Sequence, residues 1–347
     1  MRQHGHRLII VAPEASRLMQ EAQRVGLEIY AMPFTKGSQA RDLVQLVSYL
    51  RRLKPDVLNT HSSIDTWVGC LAGNICRLPA IIRTRHFGVP VRPHLLNRWL
   101  YTSLCHQVFT TSDGISRALI ADLGLPARKV TTVPTGIKPP AVLLSRHEAR
   151  SALIQEFKLP PETRFIGCLA VLRQGKGHAV LLEAFRAIQD TIPHHHLLII
   201  GEGSARQRLE ALIQAWGLHQ RVHFTGYRTD PWFVLRALDV KVLASTSHEG
   251  TPQAVLQAQF AACPVIGSDS TGIAEIITHE ATGLLVPRGE ADPLSKALLR
   301  LLEHPEYAAR LAWKAQQYVQ TYHTIELMGT KILNVYRQLL WQHEQHE

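Results

Sequence analysis

Short apolar runs rich in Val, Ile and Leu alternate with longer amphipathic stretches along this chain. In the first part of the sequence the apolar runs predict strands at 7–12, 28–32, 56–60, 80–84, 107–111 and 129–133. The stretches between them have helical periodicity, at 16–25, 39–53, 64–77, 93–104 and 114–123. Strands and helices that alternate at this spacing predict parallel βαβ units and a doubly wound sheet.

The alternation stops at 133–140, where the sequence VPTGIKPP predicts a linker. After a helix predicted at 146–157 it resumes, with strands at 164–171, 196–200, 221–225, 239–244, 264–267 and 283–286. The helices predicted here lie at 178–190, 204–216, 231–237, 252–262, 272–279, 291–303 and 305–320, and a long terminal helix at 324–343.

This pattern predicts an α/β protein with two Rossmann-like domains of doubly wound parallel sheet that face a cleft. The predicted domains are 1–140 and 141–322, and the remaining segment, 323–347, is a helix that packs back toward the first domain. Open α/β sheets bind ligands beyond the carboxyl ends of their strands. Two such edges facing each other favour a group-transfer enzyme with one substrate on each domain.

The composition is that of a globular protein, with 46% hydrophobic and 19% charged residues. The cysteines are odd in number and none has CxxC spacing, which argues against a zinc ribbon or a disulfide framework. No uncharged apolar run reaches the ~18–20 residues of a spanning helix, and the N-terminus lacks the features of a signal peptide. We therefore expect a soluble cytoplasmic chain.

The formal net charge is +10, from 38 Lys and Arg against 28 Asp and Glu. The basic residues are dispersed and not interleaved with aromatic residues in a recognition motif, so nucleic acid is not an expected partner. An anionic membrane surface is a possible partner, with Arg51, Arg52, Lys54 and the stretch 92–98 as candidates. The alternative is that these are ordinary solvated faces.

The segment 245–275 is the most informative for chemistry. Glu249 and Gly250 follow a predicted strand, and the sequence predicts Thr251 as the N-cap and Pro252 as the first residue of the next helix. Helix N-termini attract phosphate groups, and a carboxylate beside one can accept hydrogen bonds from sugar hydroxyls. Gln257 lies about a turn and a half further along this helix.

A second glycine-containing helix start follows at Gly272 and leads to Glu275. The alternative interpretation of the whole segment is two ordinary helix caps with solvated carboxylates.

A basic turn, LRQGKGH, connects another predicted strand and helix. It carries Arg173 and Lys176, and Gly175 and Gly177 allow the backbone to approach a ligand closely. Two cations on one loop suit a diphosphate leaving group, whose charge grows as the glycosidic bond breaks. The alternative is a solvated basic turn.

Further candidates lie at other strand ends. Gly226 and Tyr227 follow the strand at 221–225, and Tyr227 either stacks on a base or packs against the fold. In the first half, His61 and His86 follow two neighbouring predicted strands, and Ser112 follows a third. Each histidine is either an acceptor-binding residue or a hydrogen-bonded residue of an ordinary loop.

The EGTP sequence at 249–252 and the RQGKGH sequence at 173–178 resemble elements of the group-1 (family 4) retaining glycosyltransferases, which have the GT-B fold. The family pattern is Glu, seven residues, then Glu. Glu249 matches the first position, and Gln257 replaces the second. The resemblance implies that Glu249 contacts the donor sugar, that Gln257 holds the nucleotide ribose and that the loop at Gly226 and Tyr227 packs on the base.

The same resemblance implies that Lys176 and Arg173 stabilise the departing diphosphate. His86, within TRH, matches a family histidine near the transferred sugar. His61 and Ser112 are then acceptor-side residues, and Gly250, Thr251, Pro252, Gly272 and Glu275 are donor-side residues. No covalent nucleophile, metal or cofactor is implied.

The implied function is transfer of a sugar from a nucleotide-diphosphate sugar to a glycan or lipid-linked acceptor, in bacterial lipopolysaccharide or surface-polysaccharide biosynthesis, at the inner face of the membrane. Family members usually begin with a strand, glycine loop and helix that this sequence lacks before HGHRLIIVAP. We expect either a misassigned start codon or a remnant with impaired activity. The alternatives are a catalytically weak nucleotide-sugar-binding protein and a nucleotide-sugar epimerase of the same fold.

Overall fold

The computed structural model describes residues 5–35, 37–86 and 90–345. The described chain divides into two compact units. The first contains the described residues up to His86, from Pro90 to Pro134 and from Met328 onward, and the second contains Thr135–Leu327. The boundaries predicted from the sequence are at 140 and 322.

Every predicted strand has a counterpart in the structure. The strands are β1 (Ile9–Ala12), β2 (Glu28–Ala31), β3 (Val57–Thr60), β4 (Ala80–Arg85), β5 (Gln107–Thr110), β6 (Val130–Thr132), β7 (Arg164–Leu169), β8 (His195–Ile200), β9 (Val222–Gly226), β10 (Val240–Leu243), β11 (Val265–Ser268) and β12 (Leu284–Val286).

The helices connect these strands in the predicted alternation. They are α1 (Arg17–Arg24), α2 (Gln39–Leu53), α3 (Ser63–Ile75), α4 (Leu95–Trp99), α5 (Asp113–Leu123), α6 (Arg146–Phe157), α7 (His178–Ile188), α8 (Arg206–Ala215), α9 (Pro231–Ala237), α10 (Gln253–Phe260), α11 (Thr271–Ala274), α12 (Ala291–Glu303), α13 (Pro305–Tyr322) and α14 (Ile325–Glu344).

Serine residues begin several of these helices by the same physical device. The hydroxyl of each accepts a hydrogen bond from the backbone N–H three residues later, which satisfies a donor that the helix itself leaves open. These N-caps are Ser16, Ser62, Ser112 and Ser145. Ser62 and Ser145 form complete capping boxes with Asp65 and Glu148. The polar residues between apolar runs therefore set where the helices start.

The first unit differs from the predicted single sheet. β1 and β2 form a parallel pair of their own, whereas β3, β4, β5 and β6 form a four-stranded parallel sheet in that order. No strand in the described part of the chain hydrogen-bonds to both groups, so they remain separate sheets. Residues of α14, including Tyr336, pack with Ile82 and Phe109 on the four-stranded sheet.

The second unit has the strand order β12-β11-β10-β7-β8-β9, with all strands parallel. This is the doubly wound order in which the chain starts at the centre and adds strands first on one side and then on the other. Ile166 and Val242 belong to the core on one face, and Phe165 and Leu243 belong to the core on the other. Because both faces are covered, the strands are almost continuously apolar.

Three predicted helices differ from the observed ones. The stretch 93–104 divides into α4 and a π-helical turn, Leu100–Leu104, whose first carbonyl accepts from the N–H of Cys105. The stretch 272–279 is helical only in α11, because the chain then enters a turn in which Thr282 Oγ1 accepts from the N–H of Thr278. Pro252 is the N-cap of α10, which begins at Gln253.

Two searches of the described residues give negative results. None of the helices found there is both long enough and apolar enough to cross a bilayer. Over 5–35, 37–86 and 90–345, no three His, Cys, Asp or Glu side chains are grouped so that they could hold a metal ion.

Candidate functional site

The candidate donor site lies where the order of strands in the second unit reverses. β7 and β10 are neighbours in the sheet although they are the first and fourth strands of the unit, and their connections leave in opposite directions. Ligands of open α/β sheets bind outside the carboxyl ends of the strands at such a point. The loop after β7 carries Lys176, and the loop after β10 carries Glu249. The topology therefore brings together two residues that lie far apart in the sequence.

Lys176 and Glu249 form a close ion pair. Lys176 Nζ lies 2.7 Å from both Glu249 Oε1 and Oε2. The side chains are 14% and 6% exposed, so water screens the pair only weakly. Ser245 Oγ lies 2.5 Å from Glu249 Oε1 and 2.7 Å from the carbonyl oxygen of Gly175. The carboxylate is thus fixed from two sides before any ligand binds.

Glycine is required where the two loops meet. Gly177 has φ +74°, and a Cβ placed on it would lie 1.7 Å from the carbonyl oxygen of Ala244. The Gly175 carbonyl accepts a hydrogen bond of 2.8 Å from the N–H of Thr246. A side chain at 177 would push the β7 loop away from the end of β10. The sequence predicted that these glycines let the backbone approach a ligand closely. In the structure, Gly177 instead lets the loop after β7 approach the end of β10.

The loop after β10 also touches the loop after β11. A Cβ on Gly272 would lie 1.8 Å from the carbonyl oxygen of Gly250. The prediction that Thr251 is the N-cap and Pro252 the first helical residue is wrong, because Pro252 has φ −75° and ψ 108° and is itself the N-cap. Since proline has no N–H, the extended conformation at this position leaves no backbone donor unsatisfied.

Glu275 is the C-cap residue of α11 and is half-buried. Its carbonyl oxygen lies 3.4 Å from the hydroxyl of Tyr318, which donates to it. Ser270, the N-cap of the same helix, is 1% exposed, and its hydroxyl has no hydrogen-bond partner within the described residues. No pattern in the sequence distinguishes Ser270 from an ordinary serine.

Arg173 and Gln257 remain available for a ligand. Arg173 is exposed, and the described part of the chain contains no ion pair or hydrogen bond of its guanidinium group. Gln257 lies half-buried on α10, and the described residues offer no hydrogen-bond partner to its side-chain amide. Both side chains are therefore free to reorient, in contrast to Lys176 and Glu249.

Two further glycine loops complete this edge of the sheet. Gly201 and Gly203 have φ +136° and +154°, and Cβ atoms on them would lie 2.2 and 2.3 Å from the carbonyl oxygens of Ala170 and Leu172. The N–H of Gly201 donates to the carbonyl of Gly226, which ends β9 with φ +70°. Tyr227 follows and is 49% exposed. Its ring therefore lies at the ligand-binding edge of the sheet.

Sequence reasoning missed a buried cation behind the ion pair. Lys241 lies in the middle of β10, is 0% exposed, and its Nζ has no hydrogen-bond partner among the described residues. Burial lowers the pKa of Lys241 from 10.5 to about 8, while nearby thiols and Glu249 favour the charged form. The feature of the sequence that could have identified Lys241 is that it is the single charged residue within an otherwise apolar strand.

A second buried pair lies under the basic turn. His178 begins α7 directly after Gly177 and is 3% exposed, and Cys168 lies in β7. Burial opposes the ionisation of both, but their mutual interaction outweighs it, so the pKa of Cys168 is lowered and that of His178 is raised. These groups, with Lys241, surround the base of the loop that carries Lys176.

In the first unit, the structure brings His61 and His86 together. They follow the neighbouring strands β3 and β4, and His61 Nδ1 lies 3.0 Å from His86 Nε2. Although both residues are exposed, desolvation by the surrounding protein, followed by the neighbouring His86, lowers the pKa of His61 from 6.5 to about 4. Desolvation and then Arg83 lower the pKa of His86. Both rings are therefore neutral at pH 7. Because one nitrogen of each ring is used in their mutual hydrogen bond, the pair has one donor and one acceptor nitrogen left for a ligand.

Ser112 follows β5, at the strand end where the sequence places it, and its acceptor-side role stays a prediction. Its hydroxyl accepts from the N–H of Ile115 as the N-cap of α5, and the residue is 2% exposed. This geometry gives Ser112 a structural role at the carboxyl end of β5.

The sequence matches two family models that together extend over most of the chain. Residues 149–318 match the model described as glycosyl transferases group 1, and residues 1–139 match the glycosyltransferase family 4 model.

Curated relatives have related descriptions. The chain is 33% identical over 146 residues to the lipopolysaccharide core biosynthesis glycosyltransferase LpsD of Rhizobium meliloti. The aligned region covers 42% of this chain and 41% of the relative. It is 29% identical over 206 residues to the amylovoran biosynthesis glycosyltransferase AmsK of Erwinia amylovora, covering 57% and 48%. The chain thus spans less than half of the length of each of these two relatives.

A longer match extends to the UDP-Gal:alpha-D-GlcNAc-diphosphoundecaprenol alpha-1,3-galactosyltransferase of Escherichia coli. It is 25% identical over 276 residues, which is 76% of this chain and 70% of the relative.

Solved structures show the same fold. A glycosyltransferase from Rickettsia africae superimposes with a TM-score of 0.86 at 19% identity, covering 98% of this chain and 92% of its own. Anabaena HepE, solved in complex with UDP and glucose, gives a TM-score of 0.83 at 18% identity, with coverage of 94% and 90%. The predicted α/β architecture of the GT-B type is therefore confirmed.

Proposed function

Because the chain belongs to the group 1 glycosyltransferases, we propose that it is a retaining enzyme that moves a sugar from a nucleotide-diphosphate sugar to a glycan or lipid-linked acceptor. The observation that carries this proposal is the buried Lys176–Glu249 pair at the strand-order reversal of the second unit. A cation and a carboxylate held side by side suit the two parts of such a donor, its pyrophosphate and its sugar.

The hydrogen-bond capacity of the pair supports this assignment. An ammonium group has three donors, and two of them point at Glu249, so one remains for a phosphate oxygen. Glu249 Oε1 contacts both Lys176 and Ser245, whereas Lys176 is the one partner that the described residues provide for Oε2. A lone pair on Oε2 therefore remains open to accept a hydrogen bond from a sugar hydroxyl.

We assign the remaining donor contacts by the same chemistry. Arg173 is exposed and can turn toward the diphosphate with its planar fork of donors. Gln257 has a free amide that can both donate to and accept from a ribose diol. We place the base of the nucleotide beside Tyr227, which follows β9 at the same edge of the sheet. Anabaena HepE, which has the same fold, was solved with UDP-glucose.

In the proposed reaction the bond between the anomeric carbon and the phosphate oxygen breaks, and the acceptor oxygen bonds to the same face of the sugar. The proton of the acceptor hydroxyl passes to the departing phosphate. Lys176 and Arg173 stabilise the charge that grows on the diphosphate, and we propose that no divalent metal is needed. His86 and His61, both neutral, would bind and orient the uncharged hydroxyl of the acceptor.

Relatives point to the biological setting. Because the names of three curated relatives refer to lipopolysaccharide core, amylovoran or a diphosphoundecaprenol acceptor, we propose a role in bacterial surface-polysaccharide assembly at the cytoplasmic face of a membrane. A lipid-linked acceptor would require peripheral contact between the chain and that membrane.

The test uses the purified chain with UDP-, GDP- and ADP-sugars and a panel of acceptors, with EDTA present and absent. We expect sugar transfer or slow donor hydrolysis with retention of the anomeric configuration, insensitive to EDTA. Lys176→Ala should lower turnover by about 10²–10³-fold, and the exposed Lys314→Ala should serve as the matched control. Circular dichroism confirms that both variants fold.

Other outcomes would favour the alternatives. Nucleotide binding without turnover would indicate a nucleotide-sugar-binding protein, which the replacement of a family glutamate by Gln257 would explain. Isomerisation of the sugar in the absence of an acceptor would indicate an epimerase. An inverted anomeric product would refute the retaining mechanism.

A further inference from the structure

The first unit displays large apolar side chains on a short helix. Leu95 is 84% exposed, which is the highest value among the exposed large hydrophobic residues of the described chain. On the same helix, Leu96 is 61% exposed and Trp99 is 45% exposed. Trp99 lies four positions after Leu95 and three after Leu96, and residues at these spacings share one side of a helix, so these three form a single apolar face on α4. Exposed apolar clusters of this kind mark interaction sites.

This face is held in place by the rest of the unit. Directly after α4, Leu100 and Tyr101 are buried at 3% and 4% exposure. Arg85 donates a hydrogen bond of 3.1 Å to the hydroxyl of Tyr101. Before α4, His94 Nδ1 accepts from the N–H of Asn97 as the N-cap. The exposure of the leucines is therefore part of an ordered segment.

The stretch of sequence that contains α4 carries basic residues but no acidic ones. No Asp or Glu occurs between Asp65 and Asp113. The arginines in this interval are Arg77, Arg83, Arg85, Arg92 and Arg98. Arg92 and Arg98 are exposed and flank the apolar face. Long arginine stems can lie along an apolar surface while their guanidinium groups reach a layer of negative charge.

We propose that the α4 surface, formed by Arg92, Leu95, Leu96, Arg98 and Trp99, docks on an anionic lipid bilayer. Leu95, Leu96 and Trp99 enter the boundary between headgroups and acyl chains, and the two arginines bind lipid phosphates. The combination of apolar and basic residues without any acid favours this partner over another protein. The inference rests on the proposed function in one respect, since a lipid-linked acceptor gives the docking its purpose.

The test is sedimentation of the full chain with vesicles of phosphatidylcholine containing 0 to about 40% phosphatidylglycerol, without donor or acceptor. We expect binding that rises with the anionic fraction and falls with salt. Arg92→Gln with Arg98→Gln should lower the partition coefficient by about 30-fold, since each cation near an anionic surface contributes about fivefold. Leu95→Ser with Leu96→Ser should abolish binding at every lipid composition.

Matched controls come from the same chain. Arg51→Gln with Arg52→Gln removes the same charge from exposed positions at the end of α2. Val142→Ser removes an apolar side chain that is 79% exposed in the second unit. Both controls should retain binding to within about threefold of the unchanged chain. Equal losses in the controls and in the α4 variants would overturn the assignment to this surface.

Trp99 supplies an independent readout of depth. Brominated lipids should quench part of the tryptophan fluorescence of the unchanged chain and less of that of Trp99→Phe. Trp313→Phe, at a residue 60% exposed in the second unit, should leave the quenching unchanged. If the unchanged chain ignores vesicles but dimerises, and Leu95→Ser with Leu96→Ser makes it monomeric, the surface is a self-association site and the proposal fails.

Failure of this inference is distinguishable from failure of the proposed function. Turnover of a water-soluble acceptor in the absence of vesicles tests the enzyme alone, and the α4 variants should leave it unchanged. Vesicle binding without turnover would support docking and count against the enzyme.

Discussion

The carboxyl edges of the two parallel sheets carry opposite kinds of polar groups. In the second unit, Lys176 and Glu249 form a buried ion pair, and Arg173 lies on the same loop as the lysine. In the first unit, the corresponding loops carry His61 and His86, which lie against each other and whose pKa values are both lowered by desolvation, so that both are neutral at pH 7. Both units have parallel sheets, but the loops at the carboxyl edge carry fixed charges in the second unit and uncharged hydrogen-bonding nitrogen atoms in the first.

This difference matches the two substrates of a group-transfer reaction. A pyrophosphate is anionic and gains charge as it leaves, so its site benefits from preorganised cations. An acceptor hydroxyl is uncharged, and neutral imidazoles can bind it without the cost of desolvating a charge. The chemistry of the loops, and not the fold, therefore separates a proposed donor side from a proposed acceptor side.

The largest effect should come from Lys176→Ala. We expect kcat to fall by about 10²–10³-fold, the loss typical when one preorganised charge-stabilising donor is removed. Steady-state kinetics with saturating donor measure this effect. Glu249→Gln keeps the shape of the side chain and should instead weaken sugar binding. If both variants change only the apparent affinity for the acceptor, the division between donor and acceptor sides is wrong.

Lys241→Met should stabilise the fold by on the order of 3 kcal/mol at pH 7. The pKa of Lys241 is lowered from 10.5 in the unfolded chain to about 8, so its protonated form opposes folding at neutral pH. This penalty fades as the pH rises from 8 to 10.5, because the unfolded chain then binds more protons than the folded one. Urea unfolding at several pH values should show that the variant lacks this rise in stability.

His86→Gln should have a smaller effect, on the acceptor side. We expect an increase of about tenfold in the acceptor KM, which corresponds to one neutral hydrogen bond, with donor affinity unchanged. His94→Gln, at an exposed histidine near α4, is the control. A loss of donor binding in His86→Gln would break the comparison between the two edges.

The smallest expected effect is a change in the titration of His61. The charge of His86 is the second cause, after desolvation, of the low pKa of His61, so His86→Gln should raise that pKa. NMR titration of the ring protons measures the change. Because the folded pKa of about 4 lies below the unfolded value of 6.5, His61 also makes the fold less stable as pH falls through this range.

The sequence predicted most of the fold because alternation of strands and helices is a local signal. It could not predict that β1 and β2 pair apart from the other strands of the first unit, since strand pairing depends on distant segments. It also put the start of α10 one residue too early, because a proline after a threonine resembles a helix start whether or not the chain enters helical geometry there.

For the candidate site, the sequence predicts which residues belong to the site better than it predicts which residues contact each other. Lys176 and Glu249 were singled out for separate roles, yet their mutual contact follows only from the neighbouring positions of β7 and β10. Ser112 was assigned to the acceptor because it follows a strand, whereas its hydroxyl caps α5. Lys241 escaped notice because its burial depends on strands on both sides of β10.

The contact between Gly177 and the end of β10 has a consequence for how this protein can vary. With only 1.7 Å between a hypothetical Cβ and the Ala244 carbonyl oxygen, even the smallest side chain is excluded at codon 177. Viable sequence change in this loop would then have to arise at neighbouring solvent-facing positions such as Gln174. In a saturation library of this loop selected for folded protein, position 177 should remain glycine, whereas position 174 should accept most amino acids.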